Sequence, residues 1–220
     1  MERTNMPTYS ISRTFPWKGQ VTEKVAAVMR MFGLTTERLT DQPLTHHCTV
    51  DIKPGDIVCI TGPSGAGKSV ILRELEKCIP ASDKVNIDEI ELPPDKTLID
   101  CVGDDFLAGL KTLSKVGLND VFCVLNQPTH LSDGQKYRFR LAMALVSGRK
   151  FVFADEFCSN LDRITAAVIA YNIHKFAKRT GVTFILATSH DDTLLDLEPD
   201  VLIVKQFSGP AEITYRHKRR

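Results

Sequence analysis

Residues 62–69 read GPSGAGKS and fit the phosphate-binding pattern GxxxxGK[ST] at every fixed position. Gly62, Gly65 and Gly67 allow the backbone to curl closely around a charged ligand, because no Cβ stands in the way. Lys68 brings an ammonium toward the outer phosphates, and Ser69 offers a hydroxyl to a magnesium ion. The expected cradle comprises Gly62, Pro63, Ser64, Gly65, Ala66, Gly67, Lys68, Ser69 and Val70. A glycine-rich turn with a chance Lys-Ser is the bland alternative, and the flanking segments argue against it. DIVCIT before the loop reads as a strand. KSVILRELEKCI after it has apolar residues at 71, 72, 75 and 79, a helical spacing.

A second constellation is FVFADE at 151–156. Four apolar residues predict a buried strand that delivers Asp155 and Glu156 to its carboxyl end, where open α/β sheets bind ligands. Asp155 is expected to hold Mg2+ through water. Glu156, one residue on, is expected to orient or deprotonate the attacking water. Alone, an Asp-Glu pair would be only a polar loop; beside a complete P-loop it reads as catalytic.

The elements that must position these residues alternate along the chain. CTVDI, DIVCIT, KVNIDEI, KFVFA, VTFILAT and DVLIV read as short strands, most of them apolar throughout, as in a buried parallel sheet. TLIDCVGDDFLAGLKTLSKVGL reads as helical segments punctuated by glycine, and ITAAVIAYNIHKFAKRTG as a helix closed by Gly181. The fold class is therefore α/β with a mostly parallel sheet, a P-loop NTPase.

Composition fits a soluble globular domain, with 25% charged and 43% hydrophobic residues. The net charge of +1 disfavours a broadly basic nucleic-acid surface. No apolar run reaches the roughly 20 residues of a membrane span, and the polar start MERTNMPTYS is unlike a secretory signal. Six scattered cysteines suit reduced thiols in the cytoplasm. HHC at 46–48 has no second ligand cluster and reads as a strand edge.

LSDGQ at 131–135 is similar to the LSGGQ signature of ABC-type ATPases, and it is also a capped helix start, Ser132 with Gln135 three residues on. SNLD at 159–162 resembles the D-loop of that family, and ATSHDD at 187–192 places His190 at its switch histidine. The motifs occur in the family order and span nearly the whole chain. The resemblance implies ATP and Mg2+ as ligands and a head-to-tail homodimer. In it, Ser132, Gly134 and Gln135 of one chain cap the nucleotide on the P-loop of the other, with Asp162 and His190 near the shared site. It also implies an aromatic upstream of the P-loop that stacks on adenine; Phe32 is the best-placed residue, with Phe15 and Trp17 behind it, and at helical spacing with Val28 and Met29 it reads equally as core.

Departures from the family bear on biological role. No glutamine occurs from 70 to 126, so the Q-loop, which senses a membrane partner in that family, has no counterpart; Asp88, Glu89 or Glu91 are candidate substitutes at the metal. Asp133 replaces a signature glycine. LSDGQKYRFRLAMAL, DEFCSNLDRITAAVIAYN and ATSHDDTLLDLEPDVLIVK resemble archaeal-type soluble ABC ATPases fused to a predicted acetyltransferase domain. The chain is divided into an N-terminal extension with the adenine-side segment (1–43), the P-loop part of the core (44–96), a short helical subdomain with the signature (97–148), the second part of the core (149–215) and a basic tail (216–220).

The expectation is a cytoplasmic ATPase that drives or switches a partner protein, with an acetyltransferase in trans as one candidate partner. A transporter subunit is the alternative, disfavoured by the missing Q-loop. A nucleic-acid-linked ATPase is a further alternative, supported only by the tail YRHKRR.

Overall fold

A computed structural model of the chain describes residues 7–41, 44–189 and 191–216. In chain order the strands and α-helices are β1 (Thr8–Phe15), α1 (Glu23–Phe32), α2 (Thr36–Asp41), β2 (Leu44–Asp51), β3 (Ile57–Thr61), α3 (Lys68–Lys77), β4 (Lys84–Asn86), α4 (Phe106–Lys115), α5 (Val121–Val124), α6 (Asp133–Val146), β5 (Phe151–Ala154), α7 (Arg163–Thr180), β6 (Thr183–Ala187), α8 (Leu194–Leu197), β7 (Val201–Val204) and β8 (Glu212–Tyr215).

The main sheet has the order β4-β5-β6-β3-β7-β8, parallel except for the antiparallel edge strand β8. Its central strands are apolar except for Thr61 and Thr183 at their ends, because both faces are covered. Side chains alternate across the pleat, and this splits each strand between two cores. Cys59, Val152, Ala154, Phe184 and Leu186 join the core formed with α6 and α7. Val58, Ile60, Phe153, Ile185 and Ala187 join the core formed with α3 and the outer hairpin. That hairpin is the antiparallel pair of β1 with β2, matched over their full length, and its Ile11, Cys48 and Val50 lie in this core.

The helix ends follow local chemistry. Asp105, Asp120 and Asp162 each accept a hydrogen bond from a first-turn backbone N–H, capping α4, α5 and α7. Gly181 closes α7 in the left-handed conformation, with its N–H donating to the Ala177 carbonyl. The stretch 97–118 forms a 3-10 turn at Ile99–Cys101 and α4, as expected from its glycine punctuation. The segment 46–48 is a strand edge as expected, with His46 and Cys48 turned inward.

Candidate functional site

The P-loop sits between β3 and α3, at the carboxyl edge of the sheet. Gly62, Gly65 and Gly67 have φ values of 138°, 82° and 98°, which only glycine adopts without strain. A Cβ at Gly62 would also meet the Lys205 carbonyl at 2.0 Å, and one at Gly67 would meet the His46 ring at 2.2 Å. Lys68 is buried, and its Nζ donates to the carbonyls of Gly62 at 2.8 Å and Pro63 at 3.0 Å, so the cation lies across the mouth of the loop. Ser69 follows in the first turn of α3, where free backbone N–H groups favour an anion.

Asp155 and Glu156 leave the end of β5 on the same edge. The Asp155 carboxylate accepts the Glu156 backbone N–H at 3.0 Å, and Asp88, from the 3-10 turn after β4, accepts the Asp155 N–H at 3.1 Å. Loss of solvation pushes the Asp88 carboxyl above the usual range. The Asp155 N–H and Arg140 oppose that rise, and the charges on Asp155 and Glu156 add to it. Of the three acids named as substitutes for the Q-loop, Asp88 is the one bonded to this pair.

At the signature, the Ser132 hydroxyl accepts the Gln135 N–H at 3.3 Å, and the Gln135 side chain returns a bond to the Ser132 N–H at 2.9 Å. This reciprocal cap leaves Ser132 and Asp133 exposed at the start of α6. Gly134 lies against the D-loop: a Cβ there would stand 3.3 Å from the Leu161 side chain and 3.6 Å from the Asn160 carbonyl. The two arginines of α6 are used internally. Arg138 donates to the Gly117 carbonyl at 2.8 Å and Arg140 to that of Ile90 at 3.1 Å. Asp162 caps α7 through the Thr165 N–H. His190 lies outside the described residues.

Phe32, the aromatic expected at adenine, ends α1 with 69% of its surface exposed. The aromatic contact that leads to the P-loop is made by Phe15, whose ring meets that of His46 edge-on at 5.9 Å while His46 packs on Gly67. β1 carries Phe15 alongside β2, whereas Phe32 stands exposed at the end of α1. His46 is 2% exposed, its Nδ1 has no hydrogen-bond partner, and burial with the nearby Lys205 charge pushes it below the ordinary histidine range. Of the basic tail, only Arg216 is described, paired with Glu198 at 2.5 Å. Another large cleft, of about 1380 Å³, opens at the opposite edge of the sheet, beside Asp56 and Asp200.

The family model for the ABC transporter matches residues 45–159, just over half of the chain, and spans P-loop, signature and Asp155-Glu156. The chain belongs to the ABC transporter family. It is an ABC-type ATPase. The aliphatic sulfonates import ATP-binding protein SsuB 1 of Paracoccus denitrificans (strain Pd 1222) is 27% identical over 215 residues, which cover 89% of this chain and 85% of that relative. The spermidine/putrescine import ATP-binding protein PotA of Bacteroides fragilis (strain YCH46) is 25% identical over 226 residues, 86% of this chain but only 47% of PotA. A dimeric structure of a post-hydrolysis state of the ATP-binding cassette MJ0796, bound to ADP and Pi, shares the fold. Its TM-score is 0.64 at 18% identity, over 93% of this chain and 97% of that one.

Among the described residues, no helix is long and apolar enough to cross a membrane. Sequence reasoning read His46 only as part of a strand edge and passed over Lys205 and Tyr137. Lys205 has no motif around it. Tyr137 had one signal, its place within the first turns of the signature helix.

Proposed function

We propose that this ABC-type ATPase works as a head-to-tail pair of chains that close around two Mg-ATP and so drive or switch a partner protein in the cytoplasm. The observation that carries the reading is the exposed, doubly capped start of α6 in a chain that also holds a complete phosphate loop. An exposed helix N-terminus with a free hydroxyl donor is suited to a second chain's phosphate.

In this reading Lys68 and the loop N–H groups neutralise phosphate charge, and Ser132 with the Gly134 backbone completes the cage from the partner. The donor set fits a hard divalent cation: the Ser69 hydroxyl and the Asp155 carboxylate are oxygen ligands, as Mg2+ prefers. Bound there, Mg2+ supplies charge neutralisation on the β- and γ-phosphate oxygens. Glu156 accepts the proton of the attacking water, the Phe15 ring covers the base, and His190 takes the switch role that the sequence resemblance assigns.

A second reading is favoured by the names of the relatives, both import ATP-binding proteins: the chain would serve a membrane subunit. The stretch where a Q-loop would lie instead forms a three-residue strand and a 3-10 turn, which favours the first reading. An acetyltransferase partner rests on the sequence resemblance alone.

Light scattering on Glu156→Gln with and without Mg-ATP tests the proposal. An ATP-dependent shift from monomer to dimer supports it; a monomer that binds ATP without shifting overturns the head-to-tail pair. Co-purification with a membrane protein from solubilised membranes would instead establish the second reading.

A further inference from the structure

Tyr137 lies on α6 two residues beyond the signature and is buried, with 8% of its surface exposed. Its hydroxyl accepts the backbone N–H of Cys158 at 3.1 Å in a buried setting. Cys158 has φ 59° and Glu156, two residues earlier, has φ 45°. Both are in the left-handed region, where a side chain is strained, and such residues persist only when their surroundings hold them. Between them Phe157 is fully buried, and its N–H donates to the Ala187 carbonyl at 2.7 Å. The turn that presents Glu156 is thus pinned at two points, β6 on one side and the Tyr137 hydroxyl on the other. Without that hydroxyl the Cys158 N–H would be buried and unpaired, a costly state.

The first turn of α6 rests on the same loop: a Cβ at Gly134 would stand in tight contact with the Leu161 side chain at 3.3 Å and against the Asn160 carbonyl at 3.6 Å. Burial pushes the Tyr137 phenol well above its ordinary range and the Cys158 thiol up to about 12, so both stay protonated and hydrogen-bonding at neutral pH.

We propose that Tyr137 is a positioning residue of the hydrolytic step. It ties the signature helix to the catalytic turn of the same chain, so that seating α6 on a partner's nucleotide is passed through one hydroxyl to Glu156. The proposal rests on the head-to-tail reading above. It gives a physical route by which occupancy of one site sets the geometry of the other, since each chain lends its signature to one nucleotide and its glutamate to the next.

The test compares Tyr137→Phe, Cys158→Gly and the double variant. Turnover is measured for each, and Mg-ATP affinity is measured by titration calorimetry in a Glu156→Gln background. Tyr137→Phe keeps the ring and removes the oxygen, so turnover falls about tenfold, as a small misplacement of a catalytic group costs, while affinity stays nearly unchanged. Glycine adopts φ near 59° freely, so in the Cys158→Gly background the same Tyr137→Phe change costs much less. Full wild-type turnover in Tyr137→Phe overturns the proposal. So does a parallel fall of turnover, affinity and Tm, which a merely structural role predicts, or an undiminished loss in the glycine background.

Amide exchange on the wild-type chain decides the matter even if Tyr137→Phe does not fold. The Cys158 amide is expected to be protected like the core of α6, and exchange at the rate of open loops sinks the idea. Failure of the two-site reading is seen separately, as wild-type turnover per chain that does not depend on protein concentration.

Discussion

The Asp88 carboxylate accepts a hydrogen bond from the backbone N–H of Asp155 at 3.1 Å. That bond joins the carboxyl ends of neighbouring parallel strands, β4 and β5, and places a third carboxylate beside Asp155 and Glu156. In a chain with no glutamine between 70 and 126, this is the polar side chain that the segment after β4 supplies to the catalytic edge. Asp88→Asn keeps an acceptor for the Asp155 N–H and removes a negative charge; Asp88→Ala removes both. Turnover measured against Mg2+ concentration is expected to fall about tenfold in Asp88→Ala, through displacement of Asp155. Asp88→Asn is expected to keep more of it but to need more Mg2+. Equal, wild-type curves for both variants would show that Asp88 only fills the strand end.

Lys68 is expected to be indispensable, because its ammonium already lies across the loop on the Gly62 and Pro63 carbonyls. Lys68→Ala should lower ATP turnover by roughly a hundredfold or more, the scale on which preorganised charge in such sites acts. A variant with wild-type turnover would remove the P-loop assignment. Its fold is checked by Tm, since the lost contacts are local.

Phe15 and Phe32 give opposite expectations for nucleotide binding. Stacking on an aromatic ring contributes about 1–3 kcal/mol per base, so Phe15→Ala should weaken binding of a fluorescent ATP analogue by about tenfold. Phe32→Ala, at the exposed end of α1, should leave it nearly unchanged. The reverse pattern would restore Phe32 to the adenine site.

His46 predicts a pH effect on stability. Its folded-state pKa lies below the ordinary 6.5 because burial and the Lys205 charge both oppose a proton there. The unfolded chain therefore takes up that proton first as pH falls, and the folded state loses stability from pH 6.5 downward until its own pKa is passed; above 6.5 nothing is lost. His46→Phe, which cannot titrate, should flatten the acid side of the Tm curve below pH 6.5. An unchanged slope would assign the acid lability to other groups.

Thiol labelling gives a further check on the packing. Burial pushes Cys48 up to about 11 and Cys158 up to about 12, whereas Cys78 is exposed at the end of α3. At neutral pH an iodoacetamide-type reagent should modify Cys78 first and leave Cys48 and Cys158 untouched in the folded chain. Early labelling of Cys158, detected by peptide mapping, would mean that the turn after Glu156 opens readily.

Local chemistry made much of this protein legible in one dimension. The P-loop could be read because glycine spacing, a preceding apolar strand and a following amphipathic helix are all contiguous. The capped signature turn and the Gly181 stop were equally local, and the uninterrupted apolar strands announced a sheet covered on both faces. The hairpin of β1 with β2 and the antiparallel edge strand β8 were not read, since their pairing joins segments whose alternation is weak and partly polar.

At the site, motif order pointed to Asp155, Glu156 and the signature, and nearness along the chain pointed to Phe32. Only the fold brings Phe15 to His46 and His46 to Gly67, because β1 and β2 lie side by side although more than 25 residues separate Phe15 from His46. Asp88 and Tyr137 are the same kind of case. Their hydrogen bonds to Asp155 and Cys158 span 67 and 21 residues, and nothing in either residue type reveals a partner at that distance. Motifs are written by neighbours along the backbone, whereas these contacts arise from the register of parallel strands and the seating of α6, which the packed core sets.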